Sequence, residues 1–370
     1  MVDTVKFYEY LVNHDLDFFT GVPDSLLKEL CSCIKDKLDS KHNIIAANEG
    51  NAVGLAAGYH LSTGKLGVVY MQNSGEGNVV NPLMSLADPK VYSIPMLLII
   101  GWRGEPGVHD EPQHVKQGEV TLKLLEAMDI EYRILNDNFE DDLNAMVSLA
   151  KKDNKPTALV IRKGTFSKYS PVNKEKAVMG ELLREEALEV ILKEIGDDMV
   201  VSTTGKESRE IFEIRERNNE GHSHDFLTVG SMGHTSSIAL GVAIGTKRNV
   251  WCLDGDGSFI MHMGGLAIAG VNAPDNFKYV INNNAAHESV GGQPTVSDKI
   301  DIKAILKACG FSSTYEAKTK EEIKECINKM KHEGKCALIL YTKQGSRDDL
   351  GRPTTTPIEN KDAFMKEIKK

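Results

Sequence analysis

The chain has little that would staple it or anchor it. Its 370 residues include only six cysteines, Cys31, Cys33, Cys252, Cys309, Cys326 and Cys336. Only the first two lie close, as a CxC pair, and no second pair or histidine cluster completes a zinc pattern. That excludes a disulfide framework and leaves buried or half-buried thiols in a reducing cytoplasm as the expectation. No apolar stretch nears the ~20 residues of a membrane span; Ile94 to Ile100 is among the longest. No Lys/Arg run stands out, and 44 basic against 53 acidic residues give a net charge of −9. A broad nucleic-acid or anionic-membrane surface is therefore not expected, although a local basic pocket is compatible with these numbers. Met1 to Tyr10 carries charges and no apolar h-region, so no secretory signal is expected. A content of 41% hydrophobic and 26% charged residues argues against wholesale disorder, and the length suggests about two domains.

The chain is written twice, at an offset of about 180 residues, a domain-sized period. Gly54-Leu-Ala-Ala-Gly58, the apolar run Gly67-Val-Val-Tyr-Met71 and Ser74-Gly-Glu-Gly-Asn78 have counterparts in Ala239 to Gly245, Val250-Trp-Cys-Leu253 and Gly255-Asp-Gly-Ser258. Lys155 to Gly164 likewise resembles Lys335 to Gly345. Ile44–Ala47, Val68–Met71, Met96–Ile100 and Ala158–Ile161 are apolar without alternation, as are Met199–Ser202, Val250–Leu253, Tyr279–Ile281 and Ala337–Tyr341. Strands buried on both faces read this way. Helical stretches such as Ala52–Leu61, Leu122–Met128, Glu181–Glu194 and Lys320–Lys331 separate them. The expected fold is α/β: two similar three-layer domains with parallel sheets covered on both sides, over 1–170 and 178–370. The polar segment from about Lys168 to Val178 is the expected link.

The sharpest chemical signal lies in the second copy. Leu253-Asp-Gly-Asp-Gly-Ser258 ends one buried strand and Asn282-Asn-Asn284 ends the next, with the residues between expected to form a helix of about three to four turns. Neighbouring strand ends bring Asp256 and Asn283 together. One carboxylate, one amide oxygen and a backbone carbonyl, that of Ala285, make an incomplete oxygen shell for Mg²⁺, completed by phosphate and water. Glycines beside Asp256 admit close backbone approach, and the N–H groups of Gly257 and Ser258 favour phosphate. A plain Gly-rich turn is the bland alternative. GDG alone is weak; GDG and NN, each after an apolar run and separated by 24 residues, is strong.

Here the sequence resembles the thiamine-diphosphate-dependent enzymes, whose signature is GDG followed by NN at this separation. The first copy reads Gly75-Glu-Gly77 and Gly101-Trp-Arg103 at the corresponding places, so it lacks the metal pair. The resemblance implies that this domain holds the aminopyrimidine ring and the second the diphosphate. It identifies Glu49 as the acid that shares a proton with the ring, a role that burial suits by raising its pKa. The resulting imine would take the proton from the thiazolium carbon, making an ylid as nucleophile and a ring as electron sink. By the same resemblance Met232 and the Gly230 carbonyl support the bent cofactor, and Thr204 and Gly205 join Gly255, Gly257 and Ser258 at the diphosphate. Ser202-Thr-Thr-Gly-Lys206 is not a P-loop, because Val200 stands where that pattern needs glycine.

Most decarboxylases of the family carry a middle domain, for which there is no room here. With segments such as Phe19 to Ser25, Gly101 to His114, Ser202 to Glu210, Phe226 to His234 and His287 to Thr295, this narrows the resemblance to the phosphonopyruvate decarboxylases over nearly the whole chain. The implied reaction turns 3-phosphonopyruvate into phosphonoacetaldehyde and carbon dioxide. Asp24, His114 and Glu288 are the implied proton relay. Ser25, Arg347 and Arg352 are the expected phosphonate site, the arginines from the charge and position of the loop Gly345 to Pro353. His109 stands where lysine is expected, and its role is open. The family pattern implies a homodimer at least, with sites at subunit interfaces, and a 2-keto acid with a second anionic group as substrate. The rivals are a sulfopyruvate decarboxylase, whose relatives tend to split the domains between chains, an acyloin-forming carboligase, and a catalytically dead binding module. The presence of Glu49, Asp256 and Asn283 argues against the last.

Overall fold

Apolar runs that show no alternation become the central strands of two parallel sheets. The computed structural model describes residues 1–172 and 177–370; residues 173–176, inside the expected link, lie outside the described residues. The chain divides into two compact units, Met1–Glu175 and Lys176–Lys370. The first holds β1 (Phe19–Gly21), β2 (Asn43–Ile45), β3 (Gly67–Gln72), β4 (Met96–Gly101), β5 (Glu131–Ile134) and β6 (Thr157–Ile161). The second holds β7 (Met199–Ser202), β8 (Asp225–Leu227), β9 (Val250–Gly255), β10 (Phe277–Asn283), the short ladder β11 (Ala286–His287) with β12 (Gln293–Pro294), β13 (Ser313–Ala317) and β14 (Cys336–Tyr341).

The sheet orders are β2-β1-β3-β4-β6-β5 and β13-β14-β10-β9-β7-β8, with every neighbouring pair parallel. Counted from the first main-sheet strand of each unit, both orders are second, first, third, fourth, sixth, fifth. The sequence repeat is thus a repeat of topology. In each sheet the chain leaves the first strand to one side and returns on the other, so β1 beside β3 and β7 beside β9 are the switch points. Ligands bind outside the carboxyl ends of strands at such places.

The pleat sends successive side chains to opposite faces. Leu97 and Ile99 of β4 enter one core with Val68 and Tyr70, while Met96, Leu98 and Ile100 enter the other with Val69 and Met71. In the second unit Trp251 and Leu253 face one core, and Val250, Cys252, Tyr279 and Ile281 the other. Each such side chain contributes about 1.5–3 kcal/mol on burial. The first strand of the first unit is admitted by a glycine: a Cβ on Gly21 would lie 1.9 Å from the Tyr70 carbonyl oxygen.

Two local expectations differ from the structure. The residues between Asp256 and Asn283 form two helices, Asp256–Met261 and Gly265–Asn272. The break falls at His262-Met-Gly264, where consecutive glycines, Gly264 and Gly265, weaken helix continuity. The short edge strands β5 and β8 and the polar β13 were not marked by apolar runs. All six cysteines are free; five are buried and Cys309 is half-buried. Among the described residues no helix is long and apolar enough to cross a membrane.

Candidate active site

In the first unit four strand ends supply one group of polar side chains. Glu49 follows β2 and opens the helix Glu49–Thr63, where Asn48 caps the start by accepting from the Asn51 N–H at 2.9 Å. The Glu49 side chain is 4% exposed. Asn78 Nδ2 donates to its Oε2 at 2.6 Å. A Cβ on Gly75 would come within 2.4 Å of the Glu49 carboxyl, so glycine is required for the close approach. Burial pushes the Glu49 pKa up against the pull of the Asn78 hydrogen bond.

Asp24, just past β1, is fully buried. Gln72, at the end of β3, donates to its Oδ1 at 2.6 Å, and the Leu26 N–H donates to Oδ2 at 3.0 Å. This pair spans the switch point. Burial again raises the carboxyl pKa, ahead of the opposing hydrogen bonds. Ser25 accepts from Arg103 Nη1 at 2.8 Å. His114, on the helix Pro112–Ala127, is 8% exposed with Nδ1 unpartnered. Burial first, and the nearby Arg103 second, lower its pKa and keep the ring neutral. His109 is exposed on the loop before this helix.

In the second unit the ends of β9 and β10 meet as expected. Asp256 is 3% and Asn283 1% exposed. Asp256 Oδ2 accepts from Thr295, and the Ser297 hydroxyl lies 2.9 Å from that oxygen and 2.7 Å from Asn283 Oδ1. Asn283 Oδ1 also accepts from the Ala285 N–H at 3.1 Å, and Asn283 Nδ2 is buried without a partner. Burial pushes the Asp256 carboxyl up to about 6, with no cation among the groups that set it. Beside it, Ala285 adopts φ 56°, a left-handed conformation that alanine rarely holds, and its carbonyl accepts from the Thr295 N–H at 3.1 Å, leaving a second lone pair. A buried cluster rich in oxygen, with a carboxyl that burial raises and no cationic partner among the described residues, fits a hard divalent cation. No group of three or more His, Cys, Asp or Glu forms a metal site among the described residues; the cluster has one carboxylate and relies on amide and carbonyl oxygens.

The remaining cofactor candidates lie in the same unit. Gly205, at φ 96°, precedes the helix Lys206–Arg217 without a side-chain cap, leaving the first N–H groups for an anion. Thr204 donates to the Val229 carbonyl at 2.7 Å. Gly230 is half-buried on the loop that carries Met232. A Cβ on Gly257 would meet the His287 ring at 2.8 Å and Met232 Cε at 3.3 Å, so Met232 lies against the Gly255-Asp-Gly257 turn. Ser258 accepts from the Gly233 N–H at 3.1 Å.

Three further residues sit differently from the simple expectation. Glu288 accepts from Arg184 Nη1 at 3.0 Å, Lys206 Nζ at 3.2 Å and Asn284 Nδ2 at 3.0 Å. Its carboxylate oxygens are thus engaged by two cationic side chains and an amide. Arg347 is paired with Glu185, Glu213 and Asp349, three carboxylates whose charge outweighs its own. That geometry does not support the phosphonate role expected for Arg347. Arg352 is exposed on the same loop. Sequence reading missed Gln72, Asn78, Arg103 and Asp110 in one unit and Ser297 in the other. Gln72 and Arg103 lie at or just past strand ends, a position that would have flagged them.

Two family models match the chain: the N-terminal TPP binding domain of thiamine pyrophosphate enzymes over residues 5–126 and the C-terminal TPP binding domain over 203–340. Phosphonopyruvate decarboxylase of Streptomyces viridochromogenes is 35% identical over 360 residues, covering 92% of this chain and 88% of that one. The enzyme of the same name from Streptomyces hygroscopicus is 33% identical, covering 92% and 87%. Sulfopyruvate decarboxylase of Methanosarcina acetivorans is 27% identical, covering 88% and 87%. This last relative spans both units in one chain, so fusion of the domains does not separate the two activities. The matched models and the end-to-end relatives show that the chain belongs to the thiamine pyrophosphate enzyme family.

Proposed function

We propose that the chain decarboxylates 3-phosphonopyruvate to phosphonoacetaldehyde and carbon dioxide, using thiamine diphosphate and Mg²⁺, in phosphonate biosynthesis. The observation that carries this reading is the 35% identity to a phosphonopyruvate decarboxylase over 92% of the chain. Both half-sites that the cofactor needs are kept: buried Glu49 in one unit, and Asp256 with Asn283 in the other.

Bound thiamine diphosphate supplies a carbon nucleophile and an electron sink for the carboxylate that leaves. The chain's own residues do the rest. Asp256, Asn283 Oδ1 and the Ala285 carbonyl hold the metal. Thr204, Gly205 and the backbone at Gly255, Gly257 and Ser258 take the diphosphate oxygens. Met232 and the Gly230 carbonyl support the ring system. Glu49, whose carboxyl burial favours the neutral acid, would hold a proton for the bound pyrimidine ring. Overall the keto acid loses carbon dioxide and gains one proton at the same carbon. Asp24, with its raised pKa, stores that proton, and neutral His114 moves it through the unpartnered Nδ1. Glu288 orients Lys206 and Arg184. Ser25 is a donor to the substrate's second anionic group.

A second copy of the chain completes the enzyme in this reading. Ile244, Ile268 and Val271 are 65%, 60% and 79% exposed on the two apolar helices Thr235–Ile244 and Gly265–Asn272, an unusual cost for a surface facing water. Gly54 and Gly58 have open space around them, which suits close helix packing. Sedimentation should find at least a dimer, and a fully active monomer contradicts the proposal. Free buried thiols support a cytoplasmic setting.

The test is carbon dioxide release by purified protein with thiamine diphosphate and Mg²⁺, in parallel on phosphonopyruvate, sulfopyruvate and pyruvate. Preference for phosphonopyruvate is expected. Preference for sulfopyruvate, which the Methanosarcina relative favours as the second reading, would move only the anion assignment.

A further inference from the structure

Resting on that reading, we propose that Arg103, together with the Ser25 hydroxyl, receives the anionic group at the far end of the substrate, and that Asp110 is the positioning residue that aims it. Arg103 lies two residues past β4, beside Asp24 and His114. Its Nε donates to Asp110 Oδ2 at 2.7 Å, its Nη2 to Asp110 Oδ1, and its Nη1 to Ser25 Oγ at 2.8 Å. Those bonds use three of the five guanidinium N–H groups. One N–H on each Nη is left, and two such donors suit a tetrahedral oxyanion.

The arginine is held still from both ends. Its backbone N–H donates to Asn73 Oδ1 at 3.1 Å, and its carbonyl accepts from Asn73 Nδ2 at 2.7 Å. Asp110 is fixed in turn by the Gly104 and Glu111 N–H groups, each at 2.8 Å. The side chains of Arg103 and Asp110 are 19% and 13% exposed, shielded enough for charge to matter and open enough for a small molecule to enter. A guanidinium held in this way spends little entropy on binding. Arg347, by contrast, pairs with three carboxylates where Arg103 pairs with one, and that local excess of negative charge disfavours a further anion.

The decisive readout is the inhibition constant of 3-phosphonopropionate, which carries both anions and no keto group, alongside the KM for phosphonopyruvate. In Arg103→Met both should rise about 100-fold, the loss of two charge-assisted hydrogen bonds. Affinity for thiamine diphosphate, read by circular dichroism titration, should stay within about threefold. Arg103→Lys should fall between, and Asp110→Asn should raise both constants about tenfold while kcat changes less. An unchanged inhibition constant in folded Arg103→Met overturns the proposal whatever happens to turnover. If that variant does not fold, the same readout in Arg103→Lys decides. Wild-type protein without activity on phosphonopyruvate would instead overturn the substrate reading, a separate failure.

Discussion

Replacing Glu76 by glutamine should make the protein more stable at neutral pH and leave it nearly unchanged near pH 4.5. Glu76 opens the helix Glu76–Pro82 and is 2% exposed. Its Oε1 has no hydrogen-bond partner. Burial pushes the carboxyl up from 4.5 to about 8, against a weaker pull from Thr121. Between those values the folded chain holds a proton that the unfolded chain releases. The stability contributed by this group is therefore complete below pH 4.5 and is lost as pH rises toward 8. The slope is about 1.4 kcal/mol per pH unit, so the full window amounts to about 5 kcal/mol. Glutamine keeps the shape and does not titrate. At pH 7 the variant should exceed wild type by about 3 kcal/mol.

Urea unfolding of both proteins from pH 5 to 8.5, followed by circular dichroism, measures the difference directly. Added cofactor is left out so that ligand binding does not enter the balance. Curves that stay parallel across the range would refute the reasoning, because they would mean that the Glu76 carboxyl titrates alike folded and unfolded. The consequence reaches the site: Gly75 and Asn78, which flank this acid, are the residues against which Glu49 rests.

Glu49→Gln should lower turnover 100-fold or more, on the order of a lost acid–base group, while the cofactor dissociation constant moves less than about tenfold. Asp256→Asn should raise the Mg²⁺ concentration for half-maximal activity at least about tenfold, read by titrating metal at saturating cofactor. Arg347→Ala should leave the KM for phosphonopyruvate within about threefold, because its pairs are partly exposed and structural; a large rise confined to phosphonopyruvate would return Arg347 to the substrate site.

The central strands were legible because β3, β4, β6, β9, β10 and β14 are buried along nearly their whole length, so their sequences carry unbroken apolar runs. Edge strand β5, with alternating exposed and half-buried residues, is too short and mixed to announce itself. β1 has three residues and ends in Gly21, whose fitness depends on Tyr70 across the ladder; no local pattern encodes that contact. Asp256 and Asn283 could be paired because both terminate strong runs. Ser297 could not, because the bend that returns it to Asp256 runs through the short β11–β12 ladder. Arg347 is the opposite case. Charge and a position after β14 suggested a ligand, but its carboxylate partners come from Glu185 and Glu213, about 160 and 130 positions earlier.

The repeat explains why one unit gathers an oxygen-rich cluster at its strand ends and the other a guanidinium. Glu76 and Asp256 occupy corresponding places: each follows a glycine at or shortly past the end of its unit's third strand and opens a helix. Both are buried acids with raised pKa values, to about 8 and about 6. The difference lies in what the neighbouring strand offers. At the end of β10, Asn283 Oδ1 shares the Ser297 hydroxyl with Asp256, and Thr295 adds a second hydroxyl. After β4 the chain presents Trp102 and Arg103 instead, and Arg103 points its guanidinium to Asp110 and Ser25. A cation stabilises an acid only where other oxygens share it, so the surroundings of Asp256 suit the ligand role proposed for it, while burial of Glu76 favours its protonated form. The same strand position that yields Asn283 in one sheet leads, two residues further on, to Arg103 in the other. One topology thus supplies an oxygen-lined end for a metal and its diphosphate, and a guanidinium-lined end suited to the anion of a small substrate.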